Sequence, residues 1–305
     1  FPTRRSSDLE LFKISMMKDV LEINNLKKHY KDFDYQVDLF IREGETLGLV
    51  GPNGAGKTTT INLILNIIKK DSGEIKIFGL DHIKHEEEIK ERIGFVFEEQ
   101  NFYHNMTVSQ LLKFCSALYP HWNSDYSKSS LKRLSLPENK KYGQLSKGTK
   151  VKLAILIAFS SGGEFFIMDE PTSGLDPKVR NEVLEEIDQI KEREHPAILF
   201  SSHLMGDMER IADRIALINN GRIMLTERKT DLKKKWKKIV FFNENARDFG
   251  AIPGIFKIRK NNAGCYTIIT NNFSQHIVDE LRSAGSREIQ TSDLNLEEIF
   301  LQCVG

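Results

Sequence analysis

The chain has few cysteines and lacks any long apolar run. Three cysteines, Cys115, Cys265 and Cys303, occur among 305 residues, and none has a CxxC spacing. This favours a reducing compartment and argues against disulfides or a zinc site. No stretch comes near the roughly 20 apolar residues that a membrane span needs, and the richest run, Leu153 to Phe159, has the length of a core helix. We therefore expect a soluble chain without direct membrane insertion, which reaches a membrane only through a partner.

The chain also carries almost no net charge. The 44 lysines and arginines nearly balance the 43 aspartates and glutamates, which leaves a net charge of +1. Because nothing global in this composition attracts nucleic acid or an anionic surface, we expect no nucleic-acid partner. The length suffices for one large domain and one smaller domain.

The first residues do not resemble a folded segment or a leader. The string "FPTRRSSDL", Phe1 to Leu9, has no apolar core of the kind that a signal peptide carries. It resembles the translation of a sequencing adapter. We expect residues 1–15 to be a non-native extension and the native start to be Met16 or Met17.

Short apolar strands alternate with helical patterns over most of the chain. Seven segments rich in β-branched and apolar residues predict strands: Val20 to Leu26, Thr46 to Val50, Glu74 to Gly79, Ile93 to Phe97, Glu164 to Asp169, Ala197 to Ser202 and Ile215 to Ile223. Helical periodicity fills most gaps between them, as in "TTTINLILNIIKK" and "PKVRNEVLEEIDQIKERE". This alternation predicts an α/β fold with a parallel sheet over residues 17–228.

Strand patterns disappear between about Glu98 and Gly163, where helical patterns replace them. Thr107 is a good N-cap for the first of these helices. The sequence therefore predicts a helical subdomain over about 98–163, inserted in the α/β domain.

The composition changes again near the C-terminus. Leu225 to Lys238 is basic and predicts a linker, with a solvated hinge around Trp236. Beyond it, residues 229–305 predict a small α+β domain, with a hairpin around Asn261 to Gly264 and a helix between Ser274 and Gly285.

The stretch "GPNGAGKTT", Gly51 to Thr59, matches GxxxxGK(S/T) in full and lies between a predicted strand and a predicted helix. In such a P-loop the glycines let the backbone wrap the phosphates. Lys57 supplies a charge to the β and γ oxygens, and the Thr58 hydroxyl binds Mg²⁺.

Two carboxylates, Asp169 and Glu170, directly follow an apolar strand in "FFIMDEP". Asp169 would hold Mg²⁺, usually through water, and Glu170 would polarise an attacking water. Alternatively, the two carboxylates could be an ordinary helix cap. The P-loop upstream in the same chain favours the role in nucleotide binding.

A second candidate phosphate site lies in "QLSKGTKVKLAILIAF", Gln144 to Phe159. We interpret Lys147 to Thr149 as a tight turn before a helix whose N-terminal N–H groups would point at an anion.

Taken together, these motifs resemble the nucleotide-binding subunit of an ABC transporter over about Val20 to Met224. In the family's order, Leu145 to Gly148 resembles the signature, Ser173 to Asp176 the D-loop, and Ser202-His203 the switch histidine. The resemblance implies the ABC type of P-loop fold, ATP and Mg²⁺ as cofactors, and ATP hydrolysis.

The resemblance also implies roles for single residues. It gives catalytic roles to Lys57, Glu170 and His203, with His203 contacting the γ-phosphate, and places Tyr30 under adenine. It assigns nucleotide contacts to Asn53, Gly54, Ala55, Gly56, Lys57, Thr58 and Thr59.

The family's subunits pair head to tail, so the resemblance implies that Ser146 and Gly148 cap the γ-phosphate of the other subunit. The expected partners are a second copy or another ABC ATPase subunit, together with an integral membrane permease. The expected location is the cytoplasmic face of the cell membrane.

The sequence departs from the family pattern at two places. Lys147 and Thr149 replace glycine and glutamine of the usual LSGGQ, a variation similar to that of a bacterial drug-export branch. Glu98 stands where the family has a glutamine that touches Mg²⁺, and Gln100 follows two positions later. Either could serve as that residue; we favour Glu98, because Mg²⁺ prefers oxygen ligands.

Two other functions fit less well. A soluble ABC ATPase acting on DNA or ribosomes would be expected to carry a long coiled-coil insertion or a second cassette. A GTPase would need an NKxD motif, and "NKKY" at Asn139 to Tyr142 lacks the aspartate.

Overall fold

A computed structural model describes residues 18–30, 33–244, 249–261 and 264–304. The expected extension over residues 1–15, the starts at Met16 or Met17, and the tip of the hairpin at residues 262–263 lie outside the described residues. The chain divides into two compact units, Phe1–Met224 and Leu225–Gly305.

The first unit is built on a ten-stranded sheet with the order β5-β4-β1-β2-β10-β9-β3-β8-β7-β6. Its strands are β1 Asp19–Tyr30, β2 Phe33–Arg42, β3 Thr46–Val50, β4 Ser72–Ile77, β5 Leu80–Asp81, β6 Ile93–Val96, β7 Phe165–Asp169, β8 Ala197–Ser202, β9 Arg214–Asn219 and β10 Arg222–Arg228. The strands β9, β3, β8, β7 and β6 pair in parallel, whereas β2, β1, β4 and β5 pair antiparallel. The predicted α/β class with a parallel core is confirmed.

The central strands are apolar along their whole length because both of their faces are covered. Every residue of β3, β7 and β8 is buried, as expected for parallel strands with helices on either side. The strand β2 shows the other pattern, with Tyr35, Val37, Leu39 and Ile41 buried and the residues between them exposed.

Among the described residues of the first unit, seven α-helices accompany this sheet. They are α1 Lys57–Ile64, α2 Glu86–Glu91, α3 Val108–Leu118, α4 Ser124–Arg133, α5 Lys147–Ser160, α6 Pro177–Glu194 and α7 Met205–Ile211. The predicted cap at Thr107 is confirmed, because its hydroxyl accepts the Gln110 N–H while the Gln110 side chain accepts the Thr107 N–H. None of the described helices is both long and apolar enough to cross a membrane.

Several strand ends differ from the prediction by a few residues, and two larger differences have a local cause. The first helix was expected to continue to Lys70 but ends at Ile64, and Asn66 then takes a left-handed φ of 55°. The single strand expected over Ile215 to Ile223 is two strands, because Asn220 and Gly221 have φ angles of 46° and 70° and form a turn between them.

A buried glutamate joins α4 to α6. Glu186 is 1% exposed and accepts hydrogen bonds from Tyr126, Ser130 and Arg133. Burial by itself raises the pKa of Glu186, but these hydrogen bonds outweigh it and hold the pKa below its ordinary value. The charge is therefore retained at neutral pH, and it fastens α4 to the helix that follows the D-loop segment.

The second unit contains a four-stranded sheet with the order β12-β13-β11-β14. Its elements are α8 Lys229–Lys235, β11 Lys237–Phe242, β12 Ile255–Lys260, β13 Cys265–Thr270, α9 Gln275–Ser283, β14 Arg287–Asp293 and α10 Leu296–Val304. Ser274 and Gly285 flank α9 as predicted. The solvated hinge at Trp236 is wrong, because the indole is 4% exposed and packs on Phe256 with ring centroids 5.2 Å apart.

The start of α5 also differs from the prediction. Lys147 to Thr149 form the first turn of the helix instead of a tight turn before it, because the Ser146 hydroxyl accepts the Thr149 N–H at 3.3 Å and caps the helix. Behind this turn, a Cβ added to Gly148 would lie 2.6 Å from Val179 Cγ1 on α6. The glycine therefore lets α5 and α6 approach closely.

We predict that Gly148→Ala destabilises the first unit by about 1–3 kcal/mol, because the new methyl group overlaps a stiff β-branched side chain. In a helix with room for the methyl group, the same change would stabilise the fold by about 1 kcal/mol. The sign of the change in unfolding free energy therefore shows whether Gly148 is crowded by Val179. Urea unfolding of Gly148→Ala, Val179→Ala and the double variant measures it. The double variant should recover part of the loss, and a stabilised Gly148→Ala would contradict the packing described above.

Candidate functional site

The P-loop connects β3 to α1 and carries a buried lysine. Lys57 is 5% exposed, and its Nζ donates to the carbonyl oxygens of Gly51 at 2.7 Å and Pro52 at 3.1 Å. Gly54 and Gly56 have φ angles of 78° and 112°, which glycine adopts without strain. The loop thus curls over its own lysine in the form that wraps a phosphate.

Space also requires glycine at the first position of this loop. A Cβ added to Gly51 would lie 2.2 Å from the carbonyl oxygen of Ile218 on β9. The backbone of the loop is therefore seated directly against the sheet.

The carboxylates after β7 are oriented by a serine that sequence analysis missed. Ser201 Oγ donates to Asp169 Oδ1 at 2.6 Å and accepts the Glu170 N–H at 3.0 Å. Glu170 has a left-handed φ of 48°, a costly conformation for a residue with a side chain. Two bonds from one neighbouring strand hold it there, since the Ser201 carbonyl accepts the same N–H at 3.2 Å.

Glu170 connects the P-loop to the switch histidine. It is 6% exposed; its Oε1 lies 3.1 Å from Lys57 Nζ and its Oε2 lies 2.8 Å from His203 Nδ1. An ionised carboxylate only accepts hydrogen bonds, so the tautomer with the proton on Nδ1 is the one that bonds to a charged Glu170. The P-loop, the chain after β7 and the chain after β8 are distant in the sequence, and they meet at the buried carboxylate of Glu170.

These residues line a cavity of about 320 Å³. Its lining residues are Asn53, Gly54, Gly56, Lys57, Thr58, Thr59, Glu98, Glu170, Ser173 and His203. The cavity lies at the carboxyl ends of β3, β6, β7 and β8, where parallel α/β sheets bind ligands. Ser173, from the predicted D-loop, lines the cavity although the sequence suggested no role for it at this site.

Other predicted residues are not among the lining residues. Ala55 and Asp169 are buried next to the cavity, at 2% and 4% exposure. Tyr30 is 42% exposed at the end of β1. Ser146 and Gly148, at the start of α5, do not line the cavity either.

The structure separates the two candidates for the glutamine position. Glu98 lines the cavity with Lys57 and Glu170. Gln100 instead turns its side-chain amide back to the carbonyl oxygen of Phe97. Of the two, Glu98 is among the lining residues and Gln100 is not.

The donor set fits a magnesium ion that arrives with a nucleotide. Within the described residues, no group of three or more His, Cys, Asp or Glu side chains could hold a metal by itself. Mg²⁺ in nucleotide sites takes one or two carboxylates together with phosphate and water oxygens, so such a group is not required. The Thr58 hydroxyl and the Glu98 carboxylate, both at the cavity, are oxygen donors of the right kind.

A larger cavity, of about 460 Å³, lies at the amino ends of the same strands. Its lining includes Arg92 and Glu164, which pair with each other through two hydrogen bonds of 2.7 and 3.1 Å. Because this pair satisfies its own charges, the smaller cavity is the better candidate for a binding site.

Comparison with known proteins agrees with the geometry. A family model for the ABC transporter matches residues 35–173. The ABC transporter ATP-binding protein YtrB of Bacillus subtilis is 30% identical over 270 residues, which cover 88% of this chain and 92% of that protein. The bacitracin transport ATP-binding protein BcrA of Bacillus licheniformis is 33% identical and covers 74% of this chain and 75% of that protein.

A further relative, the linearmycin resistance ATP-binding protein LnrL of Bacillus subtilis, is 34% identical and covers 70% of each chain. Among solved structures, the ATP-binding subunit of an ABC transporter has a TM-score of 0.64 and 27% identity, over 70% of this chain and 92% of that chain. The dimeric cassette MJ0796 with ADP and Pi has a TM-score of 0.60 and 25% identity, over 68% and 98%. The chain therefore belongs to the family of ABC transporter ATP-binding subunits, whose ABC-type ATPase domain it carries.

Proposed function

We propose that this chain hydrolyses Mg-ATP as one half of a head-to-tail dimer and thereby powers a separate membrane permease, in the direction of export. The observation that carries the proposal is Glu170, a buried carboxylate placed between the P-loop lysine and His203 at the cavity of about 320 Å³.

The P-loop would hold the triphosphate. Gly54 and Gly56 of the loop and Thr59 of α1 line the cavity, and the Lys57 ammonium would exchange its contact with Glu170 for the β and γ oxygens. The Lys57 ammonium is thus already at the site before the nucleotide binds, where it pairs with Glu170, the proposed general base.

Thr58, Asp169 and Glu98 would hold the magnesium ion. The ion would supply Lewis-acid stabilisation of the phosphate oxygens. Ser201 keeps Asp169 fixed in orientation through its 2.6 Å hydrogen bond, and this fixes the carboxylate before the nucleotide arrives.

Once Lys57 turns to the phosphates, Glu170 is free to accept a proton from the attacking water. His203 lines the cavity, and its contact with Glu170 through Nδ1 orients the ring for the γ-phosphate. Tyr30, Asn53 and Ala55 would complete the nucleotide site.

The signature would act on the nucleotide of the second chain. Ser146 and Gly148 start α5 and do not line this chain's own cavity. The Ser146 hydroxyl lies 2.8 Å from the Thr149 hydroxyl, so the helix start presents two hydroxyls beside its N–H groups. The similarity to a dimeric cassette with ADP and Pi supports this arrangement.

An exposed apolar surface around Tyr103 and α3 is suited to a permease. Tyr103 and Leu118 are 60% and 61% exposed, and the Tyr103 ring meets Phe114 edge to face at 5.6 Å. The chain would therefore work at the cytoplasmic face of a membrane. Relatives named for bacitracin transport and linearmycin resistance support export.

We predict that Glu170→Gln traps an ATP-bound dimer, because the amide keeps the shape of the side chain but cannot accept the proton from water. Light scattering with Mg-ATP should show twice the monomer mass, and phosphate release should fall by at least about 100-fold. Glu182→Gln, a change on the partly exposed side of α6, is the control. A Glu170→Gln protein that stays monomeric would contradict the dimer mechanism.

We predict that Glu98→Ala weakens Mg²⁺ binding to the nucleotide complex by on the order of 10-fold or more, because a ligand oxygen is lost. Mn²⁺ titration in the presence of ATP, followed by electron paramagnetic resonance, measures it alongside hydrolysis. Gln100→Ala is the matched control and should change neither. The reverse result, with Gln100→Ala damaging and Glu98→Ala neutral, would show that Gln100 serves this position.

A further inference from the structure

Another buried carboxylate, Asp207, joins three segments around the site. It lies on α7 and is 0% exposed. Its Oδ2 accepts a hydrogen bond from the Thr172 hydroxyl, and its Oδ1 accepts one from Arg180 Nε at 2.6 Å. Thr172 follows the carboxylates Asp169 and Glu170 after β7, and Arg180 lies in the first turn of α6.

These bonds bracket the D-loop segment, Ser173 to Asp176. On one side of it stands Thr172, 1% exposed, and on the other stands Arg180. Because a buried carboxylate that loses a partner is strongly destabilising, Asp207 favours the conformation in which both of its partners stay in contact. The loop can therefore hardly move unless α7 moves with it.

The helix α7 also follows the switch histidine. His203 ends the β8 segment just before α7 and contacts Glu170 through Nδ1 at 2.8 Å. Two polar contacts thus join the chain after β7 to the chain after β8: Glu170 to His203, and Thr172 to Asp207. The two contacts make one rigid connection between His203 and the D-loop segment.

We propose that Asp207 is a positioning residue that couples His203 to the Ser173–Asp176 loop, so that both reach the nucleotide together. Ser173 and His203 line the same cavity, and Asp207 keeps the distance between their segments fixed. This inference rests on the proposed ATPase mechanism. Asp207 is not among the residues that line the cavity, so it would act only through its neighbours.

Thr172 gives the most selective test, because Thr172→Val keeps the shape of the side chain and leaves Asp207 paired with Arg180. We expect kcat for ATP hydrolysis to fall roughly tenfold with KM changed less than about twofold, since binding by the P-loop is untouched. Thr172→Ser restores the hydroxyl and should recover most of kcat. Asp207→Asn should act like Thr172→Val, and the two changes combined should be far from additive.

The control is Asp188→Asn, which removes an ion pair between the same two helices. Asp188 accepts from Arg210 Nε at 2.8 Å and is 32% exposed, and it has no bond to the loop. It should leave kcat within about twofold of the unmodified protein.

The proposal is overturned if Thr172→Val and Asp207→Asn lower only the unfolding temperature while kcat per folded protein is unchanged. It is also overturned if Thr172→Ser fails to rescue, or if Asp188→Asn lowers kcat as much. Glu170→Gln in the same assay separates this outcome from a failure of the proposed function: if Glu170→Gln still hydrolyses ATP, the ATPase mechanism itself is wrong.

Discussion

The buried carboxylate of Glu170 is the constraint on which the rest of the site depends. A charge that is 6% exposed must be paired, and its partners are Lys57 from the P-loop and His203 from the chain after β8. Its left-handed backbone is held by two bonds to Ser201. Nucleotide binding would remove one partner, Lys57, and so would convert a structural ion pair into a general base.

The sheet explains why these groups meet. The strands β3, β7 and β8 are neighbours in parallel, so their carboxyl ends deliver Lys57, Glu170 and His203 to one edge. Contacts between the helices then connect these residues to segments farther from the cavity. The close contact of Gly148 with Val179 joins the signature helix to α6, and Asp207 joins α6 to the segment after His203.

Sequence analysis predicted the elements whose pattern is local. The strands β3 and β8 were predicted to the residue because their apolar runs are short and sharply bounded. The strand β2 was not predicted, although its buried and exposed residues alternate. Trp236 was predicted to be solvated because its neighbours in the sequence are lysines, but its side chain is buried. Ser201 and Asp207 could not be predicted, since their partners come from distant segments. Sequence analysis favoured Glu98 over Gln100 from the chemistry of Mg²⁺, and the place of Glu98 in the lining of the cavity is in line with that preference.

Mixing two inactive variants tests most directly whether two chains share each site. Ser146→Arg damages the signature, and Glu170→Gln damages the hydrolytic half, so each pure dimer should be inactive. A mixed dimer contains one site with both changes and one site with neither. We predict that mixing restores ATP hydrolysis in proportion to the mixed dimers formed. Full activity of pure Ser146→Arg, or no activity in the mixture despite mixed dimers, would contradict the shared site.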